Sequence, residues 1–292
     1  MDMKRRHKRA VLGLALLLAF QSPVRTLAFE PWSNVNGYWI SADGKAVVKG
    51  ALAKGVTISK YQNRAGDINW KQLAKSDVSF VMVRLGYYKD MDPYFKENMS
   101  NAESVGLDTG ICFYGNATDV KGAEQEARYV LDIVKDYRVS YPIAYDVESQ
   151  ELLNRGATKS QITDQVQAFC KVIEDAGYKA AVLGNSEWLT QHMETKRISY
   201  DIWYSRYGMA HTFENRTLWR CTDSGSVPGI TGSVCLEFAF EDYRETYPGT
   251  GWRTVNGKRY YYKDYRMVKS MTLWIEDQRY LFDEKGNSQT IR

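Results

Sequence analysis

The chain has 292 residues, 44% of them hydrophobic and 25% charged, a globular balance that excludes both intrinsic disorder and a multi-span membrane protein. Its formal net charge of +4 is concentrated at one end. Residues 1–28 hold six Lys/Arg against one Asp, which leaves 33 basic and 34 acidic residues in the remainder and removes the electrostatic case for a polyanion partner such as nucleic acid.

The first segment has the three parts of an export signal: KRRHKR at 4–9, the apolar run AVLGLALLLAF at 10–20, and Thr26-Leu27-Ala28 as a small-residue exit, with cleavage expected after Ala28. Eleven apolar residues fall short of the ~20 that a spanning helix needs. The remainder holds the histidines His192 and His211 and no CxxC pair among Cys112, Cys170, Cys221 and Cys235, so no metal site is expected. Cys221 and Cys235 flank DSGSVPGITGS, a turn-rich stretch between two strand-like runs that makes them a candidate disulfide across a hairpin.

From residue 55 the chain alternates apolar, β-branched runs with helical patterns. The runs are VTISKY (56–61), VSFVMVRLG (78–86), TGICFYG (109–115), YPIAYDVES (141–149) and YKAAVLGN (178–185). The clearest helices cover 119–138, with Val120, Ala123, Ala127, Val130, Leu131 and Val134 on one face, and 158–176, opened by a Thr158/Gln161 capping box and closed by Gly177. Three strands at 199–208, 217–223 and 233–240 follow without a long helix between them. Eight strands and five helices predict an α/β fold, a parallel sheet closing into an irregular (β/α)5β3 TIM-like barrel; an open doubly wound sheet is the alternative.

Beyond Tyr243 the texture changes. Ten aromatic residues crowd 243–282, and Tyr262 and Phe282 lie at a hairpin-sized spacing, with a fainter echo before the barrel where VNGYW (35–39) matches VNGKRY (255–260). Units this small need stacked neighbours to bury their aromatic faces. The expected division is a signal at 1–28, a linker or degenerate repeat at 29–53, a barrel at 54–243, and an aromatic β-hairpin tail at 244–292.

PIAYDVES (142–149) is the stretch that carries chemistry. Alternation along a strand puts Asp146 and Glu148 on one side, and two carboxylates held that close in a sheltered cavity cannot both ionise easily. A protonated carboxyl beside an ionised one is the equipment for cleaving a glycosidic bond. On an exposed strand the same pair would be two solvated charges, but it ends the fourth strand, where barrels of this kind place their sites.

Over residues 54–243 the sequence resembles the glycoside hydrolase family 25 lysozymes (N-acetylmuramidases). The matching pieces are KGVTISKYQ (54–62), INW (68–70), FVMVRLG (80–86), D-x-x-F-x-x-N (92–98), GLDTGICFY (106–114), PIAYDVE (142–148), DIWYSRY (201–207) and LWRCTDSGSVPGITGSVCLEF (218–238). The resemblance implies hydrolysis of the β-1,4 bond between N-acetylmuramic acid and N-acetylglucosamine in peptidoglycan, by a secreted or wall-associated protein. Glu148 would be the general acid and Asp146 the ionised partner, either nucleophile or stabiliser of a substrate acetamido group. It implies no cofactor, and a monomer is expected.

Two family carboxylates are missing: Thr57 and Cys235 stand where the family has Asp. Loss of one such charge removes on the order of 10²–10³ in rate, and Glu237, two residues after Cys235, is a candidate to return a carboxylate to the cavity. A glycan-binding protein derived from a muramidase, and a barrel glycosidase acting on another β-linked polysaccharide, are the rival readings. Tyr114, Trp203 and Tyr207 are candidate sugar-stacking residues. Ser59, Gln62 and Arg84 match family positions, and Arg84 could pair with the site carboxylates or form a structural ion pair. The tail resembles the short cell-wall-binding repeats found beside wall hydrolases, which bind choline or glycan through aromatic cages, but Tyr265 and Lys269 replace expected small residues.

Overall fold

The computed structural model describes residues 32–41, 44–207, 216–246 and 248–291. The expected export signal lies outside the described residues.

Eight strands form the wall of a closed barrel: β1 (Ala53–Ile58), β2 (Phe80–Tyr87), β3 (Asp108–Tyr114), β4 (Ile143–Asp146), β5 (Ala180–Asn185), β6 (Asp201–Ser205), β7 (Arg216–Gly225) and β8 (Val234–Ala239). β1 to β7 run parallel. β8 lies antiparallel between β7 and β1, and β1 pairs with β2 to close the ring. The expected irregular barrel is therefore the observed one, and its last three strands are joined without long helices, as the end of the alternation at 199 anticipated.

Helices α1 (Phe95–Ser104), α2 (Val120–Val134) and α3 (Lys159–Asp175) cover the outside. Thr158 and Gln161 form the expected capping box at the start of α3. In α2 the buried face contains Ala123, Ala127, Val130, Leu131 and Val134, but Val120 is exposed and Glu126 is buried instead. Glu126 is accommodated because its carboxylate accepts hydrogen bonds from the Tyr145 hydroxyl (2.6 Å) and the Asn116 amide (2.8 Å).

The barrel interior is filled by Phe80, Met82, Ala144, Ala181, Leu183, Trp203, Leu218 and Ala239. Phe80 stacks on Tyr141 at 4.3 Å between centroids, and it fits because Gly55 lies beside it: a Cβ there would sit 2.4 Å from the ring. The interior is a packed core below and a groove above.

Three small three-stranded meanders accompany the barrel, at 33–49, 251–267 and 271–291. Each opens on a tight hairpin with two consecutive left-handed residues, Asn36-Gly37, Asn256-Gly257 and Glu276-Asp277, the twist-matched turn that joins short antiparallel strands. The last two stack through Trp252, Tyr261, Tyr280 and Phe282. The middle one is bolted to the barrel. Arg253 lies between the rings of Tyr178 (4.7 Å) and Tyr262 (4.3 Å), whose hydroxyls meet at 2.9 Å. Lys269 pairs with Asp136 at 2.5 Å and the Tyr265 hydroxyl donates to the Arg244 carbonyl at 3.1 Å. The two residues that depart from the wall-binding repeats are thus among those that dock the tail. Asp136, Arg138 and Tyr178 immediately precede β4 and β5, so the tail covers the end of the barrel where the strands begin.

Candidate active site

The opposite end, where the parallel strands finish, holds a groove of about 580 Å³. Its lining includes Thr57 from β1, Arg84 and Tyr87 from β2, Cys112 and Tyr114 from β3, Asp146 from β4, Arg220 from β7 and Cys235 from β8. Ser59 and Gln62 also line it, but their polar atoms are occupied: they form the capping box of the short helix Lys60–Ala65, and Gln62 Nε2 donates to the Ser233 carbonyl at 3.1 Å.

Strand β4 ends at Asp146, two residues earlier than strand alternation requires, so parity does not set the relation of the two carboxyls. A local turn does. The Glu148 amide donates to Asp146 Oδ1 at 3.1 Å, the short-range bond by which aspartate competes with strand pairing. Glu148 then points toward the end of β5, where its two oxygens accept from the Asn185 amide (2.5 Å) and the Asn185 side chain (2.8 Å). The Tyr114 hydroxyl donates to the Glu148 carbonyl and fixes the same turn against the groove wall.

Both carboxyls are raised above their ordinary values. For Asp146 burial is the first cause and the Glu148 charge the second; the Glu148 amide and Arg220 oppose them, and the result is about 7. Glu148 is raised by burial as well, but the two Asn185 donors favour its ionised form and pull it back. The two carboxyls therefore titrate as a coupled pair, and Asp146 is partly protonated near neutrality.

Several expected residues are placed differently. Arg84 does not reach the pair: its guanidinium meets Asp92 at 3.2 Å and lies over the Tyr61 ring at 5.1 Å. Trp203 is fully buried inside the barrel, donating through Nε1 to Glu237 at 2.9 Å, so it cannot stack on a sugar. Tyr207 is exposed beyond β6 and is not among the groove's lining residues. Glu237 is 0% exposed and returns no carboxylate to the groove. It is held by Thr57 Oγ1 at 2.6 Å and Arg220 Nε at 3.0 Å. Cys221 and Cys235 form no disulfide. Arg220 points inward beside Cys235 and Glu237, so its neighbour Cys221 points into the packing on the other face of the sheet. Burial pushes the Cys112 thiol up to about 12, which leaves it uncharged.

Three contributors escaped the sequence. Asn185 ends a strand in VLGN and carries no pattern of its own. Asp92 sits in the D-x-x-F-x-x-N match, which signals a conserved-looking spacing but not an arginine partner. Arg220 lies between Trp219 and Cys221 in a run otherwise read as an ordinary strand.

A closed α/β barrel with a carboxyl pair at a strand end, Asp146 of the pair lining a polar, tyrosine-edged groove, is an arrangement that glycoside-cleaving proteins use. The chain belongs to Glycosyl hydrolases family 25, whose model matches residues 56–230, more than half of its length. Among solved structures it is similar to the CTP1L endolysin, at 24% identity over 67% of this chain and 69% of that one, with a TM-score of 0.58. It is also similar to the modular autolysin LytC from Streptococcus pneumoniae in complex with a synthetic peptidoglycan ligand, at 23% identity over 71% of this chain and 57% of that one (TM-score 0.58). A family 25 glycosyl hydrolase from Bacillus anthracis matches at 19% identity over 67% and 92% of the two chains (TM-score 0.57). At these identities the likeness establishes the fold. No curated protein sequence matches the chain.

Proposed function

We propose that the chain is an exported peptidoglycan hydrolase that cleaves the β-1,4 bond between N-acetylmuramic acid and N-acetylglucosamine, with Glu148 as proton donor and Asp146 as its ionised partner. The observation that carries this reading is the carboxyl pair at the end of β4, tied together by the Glu148 amide on Asp146 Oδ1, with Asp146 lining the groove. Family membership, and the structural likeness to an autolysin solved with a peptidoglycan ligand, support the substrate class. The N-terminal charge and hydropathy pattern supports export.

At rest Asp146 is partly protonated near neutrality, and the two Asn185 donors favour the ionised form of Glu148. A sugar that displaces the Glu148 carboxyl from Asn185 removes two donors and raises its proton affinity, while Asp146, facing the Glu148 amide and Arg220, accepts negative charge more readily. The proton then belongs to Glu148, which delivers it to the glycosidic oxygen as the C–O bond breaks. Asp146, ionised, faces the developing cation, and water completes the hydrolysis.

The test is to incubate the protein with purified peptidoglycan, reduce the products with borohydride and identify the new chain ends. Reduced muramic acid, absent with Glu148→Gln and Asp146→Asn, is the expected result. Reduced glucosamine ends alone, or no new ends, would overturn the assignment.

A further inference from the structure

The groove's charge is unusual for a cation-stabilising site. Of the residues lining it, Lys60, Arg84 and Arg220 carry cationic groups, and Asp146 carries a carboxyl. The carboxylates that compensate the two arginines, Asp92 and Glu237, both have side chains 0% exposed and stand behind the guanidinium groups, not in the groove. A ligand therefore meets the donors before it meets their counterions.

Those donors are incompletely used. Arg220 spends Nε on Glu237 at 3.0 Å and Nη2 on Thr57 Oγ1 at 3.1 Å, and its Nη1 makes no hydrogen bond among the described residues. Arg84 spends Nη2 on Asp92, and its Nε, buried, has no partner among the described residues. Lys60 forms no ion pair among the described residues; its ammonium rests 5.7 Å from the Tyr61 ring. Thr57 and Cys235 stand where the likeness predicted carboxylates, so these two positions and Arg220 all move the groove's charge in the same direction. Guanidinium groups match carboxylate and phosphate oxygens far better than neutral sugar hydroxyls, and a partly enclosed groove strengthens the match.

We propose that the groove selects a saccharide whose ring carries a free carboxylate or a phosphate, received by Arg220 and Arg84 beside the carboxyl pair. This rests on the wall-glycan reading above and narrows it: the favoured unit is a muramic residue without its peptide, or a phosphorylated one.

Calorimetry on the full chain tests the idea with four oligosaccharides of equal length: a neutral N-acetylglucosamine oligomer, an alternating muramic oligomer with free carboxylates, its methyl ester, and a phosphorylated muramic oligomer. The free acid or the phosphate should bind about tenfold or more tighter than the ester, and the gap should shrink in about 0.5 M salt. The tighter of the two charged ligands identifies the source of the anion. Arg84→Met should lose the preference while still binding the ester; it is expected to fold, because Asp92 keeps the amides of Lys60 and Tyr94 as donors. Arg220→Met/Glu237→Met, which removes both charges of the buried pair together, should do the same. Equal affinity for acid, phosphate and ester overturns this proposal alone. Failure of every oligomer to bind overturns the wall-glycan reading with it.

Discussion

Asp146 couples chemistry to pH. Because its proton is lost at about 7, kcat/KM of the free enzyme should fall roughly tenfold per pH unit above that value. Asn185→Ala should move the acid limb of the profile to higher pH, since the lost donors are those that hold Glu148 ionised. Stability follows the same group. Its folded-state value lies above its ordinary 3.8, so its contribution is fully present below that value and is lost as pH rises through about 7. Asp146→Asn is therefore expected to melt higher than the wild type near about pH 8 and to differ little near about pH 4, measured by thermal scans, while its turnover falls by about 10² or more. Arg220 makes a second prediction at this scale. Arg220→Met alone leaves Glu237 buried without its cation and should cost about 3–5 kcal/mol in denaturant unfolding, most of it recovered in the double variant with Glu237→Met.

Elements differed in how legible they were. Helices α2 and α3 declared themselves through a wide apolar stripe and a capping box, signals that are local and do not depend on the rest of the chain. Strands β1 to β8 were visible as apolar runs, and their number implied closure. What local pattern could not reveal was where a strand stops or which way a residue faces across a bulge. Asp146 ends β4 by accepting from the Glu148 amide, and the β7–β8 ladder shifts register between Arg220 and Gly225. The carboxyl pair was readable because both members are adjacent in sequence. Arg220 and Asn185 were not, because their partners lie on or just past neighbouring strands, and Asp92 was not, because it meets Arg84 across the tight turn that follows β2. The tail hairpins show the reverse case, where a turn is nearly self-sufficient. Asn256 sits in the left-handed region at φ 49° and its side chain donates to the Arg128 carbonyl of α2 at 3.1 Å. Asn256→Ala should destabilise the tail by about 1–2 kcal/mol, detectable as faster amide exchange in 251–263.

At the scale of the whole molecule, the groove and the tail occupy opposite ends of one barrel. Deleting residues 247–292 would expose Tyr178 and strip Arg138 and Asp136 of their tail partners. A lower melting temperature is expected, with unchanged kcat on soluble oligosaccharide below that temperature; a loss of turnover equal to that of Glu148→Gln would show that the tail shapes the groove after all.

The four cysteines are distributed so that none is cross-linked: Cys112 faces the barrel interior, Cys170 is on the buried face of α3, and Cys221 and Cys235 lie on opposite faces of the same wall. The native state is thus reached by packing alone. Recovery from urea should be equally complete with or without dithiothreitol, and neither an oxidant nor an isomerase is needed to produce this molecule.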